Sequence, residues 1–202
     1  MSTGPRSMRQ LSARLVRHIR PPSSDEDVVP AIGEALTEIR GRPVRLRQMA
    51  FPAGTASGVW VDRTTHDLIA YEENTDPEHQ LVIIGHEAWH MFQGHGSSAT
   101  TTGPPAARAR ANEMTLALDE LATAIAEADA GDFSPSTRTD AALHFAARAA
   151  DRNVDEEVAA ELFGVRFATD VAARLAEIRT LADPHNLVGR IQASLAHRLP
   201  RS

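Results

Sequence analysis

His86, Glu87 and His90 belong to a His-Glu-x-x-His pentapeptide, His86-Glu87-Ala88-Trp89-His90. On a helix, side chains four residues apart lie one above the other on a single face, so both imidazoles can reach one metal ion. Glu87 stands about 100° round the helix from His86, near enough to handle a water at the metal without ligating it. Two histidines, a further protein ligand and an open position are what zinc needs to hydrolyse a peptide bond. The spacing therefore predicts a zinc metallopeptidase, with His86 and His90 as ligands, Glu87 as general base and Zn2+ as cofactor.

One protein ligand is still to be found. The 202 residues include no cysteine, so it must be a histidine or a carboxylate. His95 follows Gly94 and lies beyond the predicted end of the helix. Glu157 is better placed. It shares a predicted helix with Ala160, Glu161 and Gly164, and small side chains on that face let a second helix come close. Glu157 is the expected third ligand, with Glu156 its nearest rival and Glu120 on the preceding helix behind both. The same acidic residues also read as a solvated face or as a complement to the helix dipole. Tyr71, the only tyrosine, and His144 are candidates to steady an oxyanion. Asp119, Glu120 and Glu161 are candidates to orient the imidazoles.

The elements that must position these groups follow from periodicity. Leu11, Leu15 and Ile19 recur every four residues, which predicts a helix ending at Pro21-Pro22. Ser24 and Asp27 are capping candidates for a second helix that buries Val28, Ile32, Leu36 and Ile39 and stops at Gly41. The helices thus occupy 9–40. From Val44 the period falls to two, and 44–49, 58–61 and 67–71 read as strands of a small antiparallel sheet within 44–73. The strand over 67–71, placed at an edge, would pair with an extended substrate chain. The pentapeptide helix covers 78–94, with Gly94 or Gly96 as its stop, and its apolar tract Leu81-Val82-Ile83-Ile84 implies burial. Residues 97–151 form a helical insertion: a Ser/Thr/Gly/Pro-rich loop, an alanine-rich helix over 108–130 and a shorter one over 140–151. The Glu157 helix spans 154–182, with Asn153 a candidate cap and Val158, Leu162, Val165 and Leu175 predicted inward. These elements make one domain over 1–184 with a terminal helix or tail over 185–202. The fold class is α+β: mainly helical, with about three strands packed on the pentapeptide helix.

Composition narrows the setting. Aromatic residues make up only 4% of the chain, and abundant alanine favours helix over sheet. Net charge is −6, yet Arg6, Arg9, Arg14, Arg17 and Arg20 stand in an N-terminal stretch without acidic residues. Arginines break up its apolar positions, so it does not read as a secretory signal, and no apolar run approaches the ~20 residues of a membrane span. The reading is a cytoplasmic protein whose arginines form a solvated helix face rather than a nucleic-acid surface.

Glu157-Val158-Ala159-Ala160-Glu161-Leu162-Phe163-Gly164 resembles the Glu-x-x-Ala-x-x-Phe-Ala element that follows the His-Glu-x-x-His helix in the ImmA/IrrE family of bacterial metallopeptidases. Residues 67–75 and His79-Gln80 are also similar to short forms of that family regarded as toxin components or regulators. The resemblance spans roughly residues 10–170. It implies a gluzincin-like zinc endopeptidase with His86, His90 and Glu157 around the metal and Glu87 as base. The implied substrate is a protein, of the helix-turn-helix transcriptional repressor kind. Ala88-Trp89 departs from the family's usual Leu-Gly, so the indole is expected to change the packing behind the site. The competing expectation is a regulatory or toxin-component module that keeps the peptidase fold and binds its partner without cutting it.

Overall fold

Proline and glycine set the limits of the helices. The computed structural model describes residues 4–22, 24, 27–52, 56–63, 65–94, 120, 123–125 and 154–182. Helix α1 (Pro5–His18) starts on a proline, whose missing amide costs nothing in a first turn, and ends ahead of Pro21-Pro22. Helix α2 (Val28–Arg40) stops at Gly41, which takes the left-handed conformation at φ 77°. The expected cap of α2 does not form. Asp27 makes no side-chain cap bond, and Ser24 Oγ donates to Asp27 Oδ2 at 3.0 Å instead. Helix α3 (Pro77–Gln93) carries the pentapeptide. Asp76 caps it by accepting from the His79 amide at 2.9 Å, and Gly94 ends it.

Three strands lie between α2 and α3: β1 (Val44–Met49), β2 (Gly58–Asp62) and β3 (Asp67–Glu72). Their order is β1-β3-β2. Strands β2 and β3 pair antiparallel, with Gly58 opposite Tyr71 and Asp62 opposite Asp67. Strand β1 instead runs parallel to β3, with Val44 opposite Asp67 and Met49 opposite Glu72. The α+β, mainly helical class stands, and the expected all-antiparallel sheet is corrected to a mixed one. The cause is topological: the connection after β1 passes over the place that β3 will fill, and the β2–β3 hairpin then folds β3 back into it.

Being central, β3 is buried on both faces, which explains its nearly continuous apolar run. Ile69, Tyr71 and Trp60 join the main core with Leu15, Ile32, Leu36, Ile84 and Phe163. Met49, Val59, Leu68 and Ala70 form a second cluster on the other face with Ile125. The stretch 123–125 is helical, as expected of the alanine-rich insertion. The rest of 97–151, the Asn153 cap and the tail over 185–202 lie outside the described residues. No helix among the described residues is long and apolar enough to cross a membrane.

Helix α4 (Val154–Ala182) buries Leu175 as predicted but otherwise a different stripe. Ala160, Phe163, Phe167, Val171 and Leu175 face the core, whereas Val158, Leu162 and Val165 are 51%, 60% and 53% exposed. Two apolar stripes with a helical period lie on this helix, and periodicity alone does not rank them. The stripe that contains Gly164 wins because only there do the backbones of α3 and α4 approach closely. A Cβ on Gly164 would stand 2.5 Å from the Val82 carbonyl oxygen, and one on Gly85 3.0 Å from the Gly164 Cα.

Adjacent residues should therefore respond oppositely to truncation. Phe163→Ala is expected to cost about 3–5 kcal/mol and Leu162→Ala to stay within about 0.5 kcal/mol, read by denaturant unfolding of the two variants. Equal losses would contradict the assigned face.

Candidate metal centre

Helix α3 brings the two imidazoles to one side, one turn apart, with ring centroids 4.8 Å from each other. Both turn the same nitrogen inward, and His86 Nε2 and His90 Nε2 are 3.1 Å apart. Glu157 arrives from α4 and spans the pair: its Oε2 lies 3.6 Å from His86 Nε2 and its Oε1 3.7 Å from His90 Nε2. His86, His90 and Glu157 are the group among the described residues whose donor atoms converge as metal ligands do. Zinc bonds of 2.0–2.2 Å at tetrahedral angles put neighbouring donors about 3.4 Å apart, so the observed spacings suit a single zinc ion.

Exposure is uneven across the three. The side chain of His90 is 4% exposed, whereas those of His86 and Glu157 are 25% and 31% exposed. The centre is backed by core on one side and open on the other. Behind it, Trp89 is fully buried and its ring lies 5.0 Å from that of Phe163. The Trp89 indole is thus taken up in the packing between α3 and α4.

Glu87 stands beside this group. Its Oε1 is 4.0 Å from His86 Nε2, and its Oε2 accepts the Trp60 amide hydrogen at 2.8 Å. One carboxylate oxygen is anchored to β2 and the other turns to the centre. Strand β2 comes this close because of Gly58. A Cβ there would collide with Ile83 and lie 3.2 Å from Glu87 Cγ. Sequence reasoning did not assign Gly58 or the Trp60 amide a role. A glycine opening a strand was the available signal, since it commonly marks a close backbone approach.

The remaining candidates sort clearly. Glu156 is half-buried but does not join the ligand group, and Glu120 and Glu161 are exposed. Tyr71 is packed in the core, where burial raises its pKa above the ordinary phenol value. Strand β3 is flanked on both sides, so it offers no edge for a substrate strand, contrary to expectation. His95, Asp119 and His144 lie outside the described residues.

Comparison with known proteins returns nothing: no protein-family model matches the chain, and no curated protein or solved structure is significantly similar to it.

The ligand geometry predicts linkage between metal and stability. Zn2+ at about a thousand times its Kd should stabilise the protein by about 4 kcal/mol, seen as a raised unfolding midpoint. His90→Ala should abolish that increment, and an equal increment in the variant would place zinc elsewhere.

Proposed function

We propose that this chain is a zinc-dependent endopeptidase that cleaves a regulatory protein of the helix-turn-helix repressor kind. The observation that carries the reading is the meeting of His86, His90 and Glu157 from two helices, with the Glu87 carboxylate anchored at their open side. His86, His90 and Glu157 would hold the metal. The chemistry that zinc supplies in such a set is polarisation of a carbonyl and acidification of water. Glu87 accepts a proton from the attacking water at Oε1 and returns it to the leaving amine, while Oε2 stays on the Trp60 amide. His90, buried against α4, fixes the inner side of the site, and the exposed flank at His86 and Glu157 admits the peptide.

The repressor substrate rests on the resemblance of 157–164 to the ImmA/IrrE element, now seen on the helix that delivers Glu157. Such a substrate would be met in the cytoplasm.

The test compares wild type with Glu87→Gln. The variant should keep one zinc per chain and lose cleavage of a helix-turn-helix repressor encoded beside this gene by at least about a hundred-fold. His86→Ala should lose both the metal and cleavage. Zinc-bound wild type and Glu87→Gln acting equally on the repressor would instead make the chain a non-cleaving binding module.

A further inference from the structure

Glu87 is held from β2, and what holds that part of β2 is a buried charge. Asp67 is fully buried at the start of β3. Its Oδ1 accepts the Trp60 indole N–H at 2.8 Å. Its Oδ2 accepts from Arg40 Nε at 2.9 Å and lies 3.5 Å from Arg42 Nε. The two arginines flank Gly41, whose left-handed turn brings residues on either side of it to the same carboxylate. Arg42 also donates to Asp62 Oδ1 at 2.9 Å and to the Arg63 carbonyl, closing the clamp over the β2–β3 hairpin.

A buried carboxylate without partners is costly, and two guanidinium groups compensate this one while leaving an oxygen for the indole. The indole is thereby fixed at its far end. The Trp60 main-chain amide meets Glu87 Oε2 at 2.8 Å, so one residue links the two carboxylates. The contacts run from Arg40 and Arg42 to Asp67, on to Trp60 and then to Glu87.

We infer that Asp67 is a positioning residue for Glu87. Clamped by Arg40 and Arg42, it fixes the Trp60 indole and, through the Trp60 amide, the carboxylate that faces the metal centre. This inference rests on the peptidase reading for its catalytic consequence, though not for the linkage itself. Groups hydrogen-bonded directly to metal ligands commonly change activity by about 10–100-fold, and Asp67 acts further out, so the lower end of that range is expected.

Hydrogen exchange at the residue-60 amide tests the linkage, using the zinc-loaded full chain. Asp67→Asn removes the charge, and Trp60→Phe removes only the indole donor while keeping an aromatic ring. Both should speed exchange at amide 60 by roughly ten-fold, toward the rate in Glu87→Gln, because a charge-assisted hydrogen bond is loosened. The amides of Leu68 and Ala70 should keep their protection. With fluorescein-labelled casein as probe, kcat should fall roughly ten-fold in both variants while KM and zinc content hold. Wild-type exchange at amide 60, or wild-type kcat, in both variants overturns the inference. Should Asp67→Asn fail to fold, Trp60→Phe decides alone, since it leaves the arginine clamp whole. If Glu87→Gln cleaves casein as well as wild type does, the peptidase reading fails, and the exchange rates still decide the linkage.

Discussion

The distance between two helix backbones governs whether Glu157 can meet the imidazoles at all. Side chains between packed helices normally hold their axes about 8–10 Å apart. Where α3 crosses α4, Gly85 and Gly164 leave the backbones in contact, and a Cβ on Gly164 would also stand 3.2 Å from the His86 amide nitrogen. As α3 advances from Gly85 to His90, α4 recedes from Gly164 to Glu157, so the helices run antiparallel. Glu157 is seven residues from Gly164, about two turns or 10.5 Å along the axis. That carries the carboxylate from the crossing to the level of the histidines. Its short side chain then spans both rings, one oxygen to each.

The sheet makes a different contribution. Both imidazoles are positioned by α3 itself, but the Glu87 carboxylate has an anchor from outside that helix. Strand β2 supplies one because its edge is open on the side away from β3. The β2–β3 ladder uses the groups of Ser57 and Arg63, whose bonds to Glu72 and His66 fix the phase. Trp60 is out of that phase, so its amide points outward to Glu87. A slip of one residue in the hairpin would turn that amide inward and take the indole from the core face. Register thus decides where that amide points, and the pairing of Asp62 with Asp67 under Arg42 pins it.

Much of this was legible in the residues, and the failures have identifiable causes. The pentapeptide, its helix, the stop at Gly94 and the small-residue face around Glu157 all depend on local spacing, which sequence displays directly. Strand positions were legible for the same reason. Strand direction was not, because whether β1 runs with or against β3 depends on how the connection after β1 crosses the sheet. On α4 the sequence offers two faces: small residues place Glu157, Ala160 and Gly164 at a helix contact, while apolar spacing points Val158 and Leu162 to the core. Side-chain size favours the second face and backbone proximity decides for the first. The Asp67 clamp was hidden for another reason. An aspartate at the start of a strand reads as exposed, and nothing local shows that two arginines separated by one glycine will converge on it.

Uneven burial is what the proposed catalytic zinc site would require and a purely structural one would not. A structural zinc site is closed by four protein ligands and contributes mainly folding energy. Here three ligand side chains converge among the described residues, two of them a quarter or more exposed. The best-buried member, His90, lies on the core side of the group, and the neighbouring Trp89 packs against Phe163 of α4. A carboxylate then stands beside the exposed histidine with one oxygen committed to the backbone of β2. To serve as a fourth ligand of the proposed zinc, that side chain would have to give up its bond to the strand. Glu87 held back in this way, tied to Trp60 and beside His86, suits the proposed role of general base.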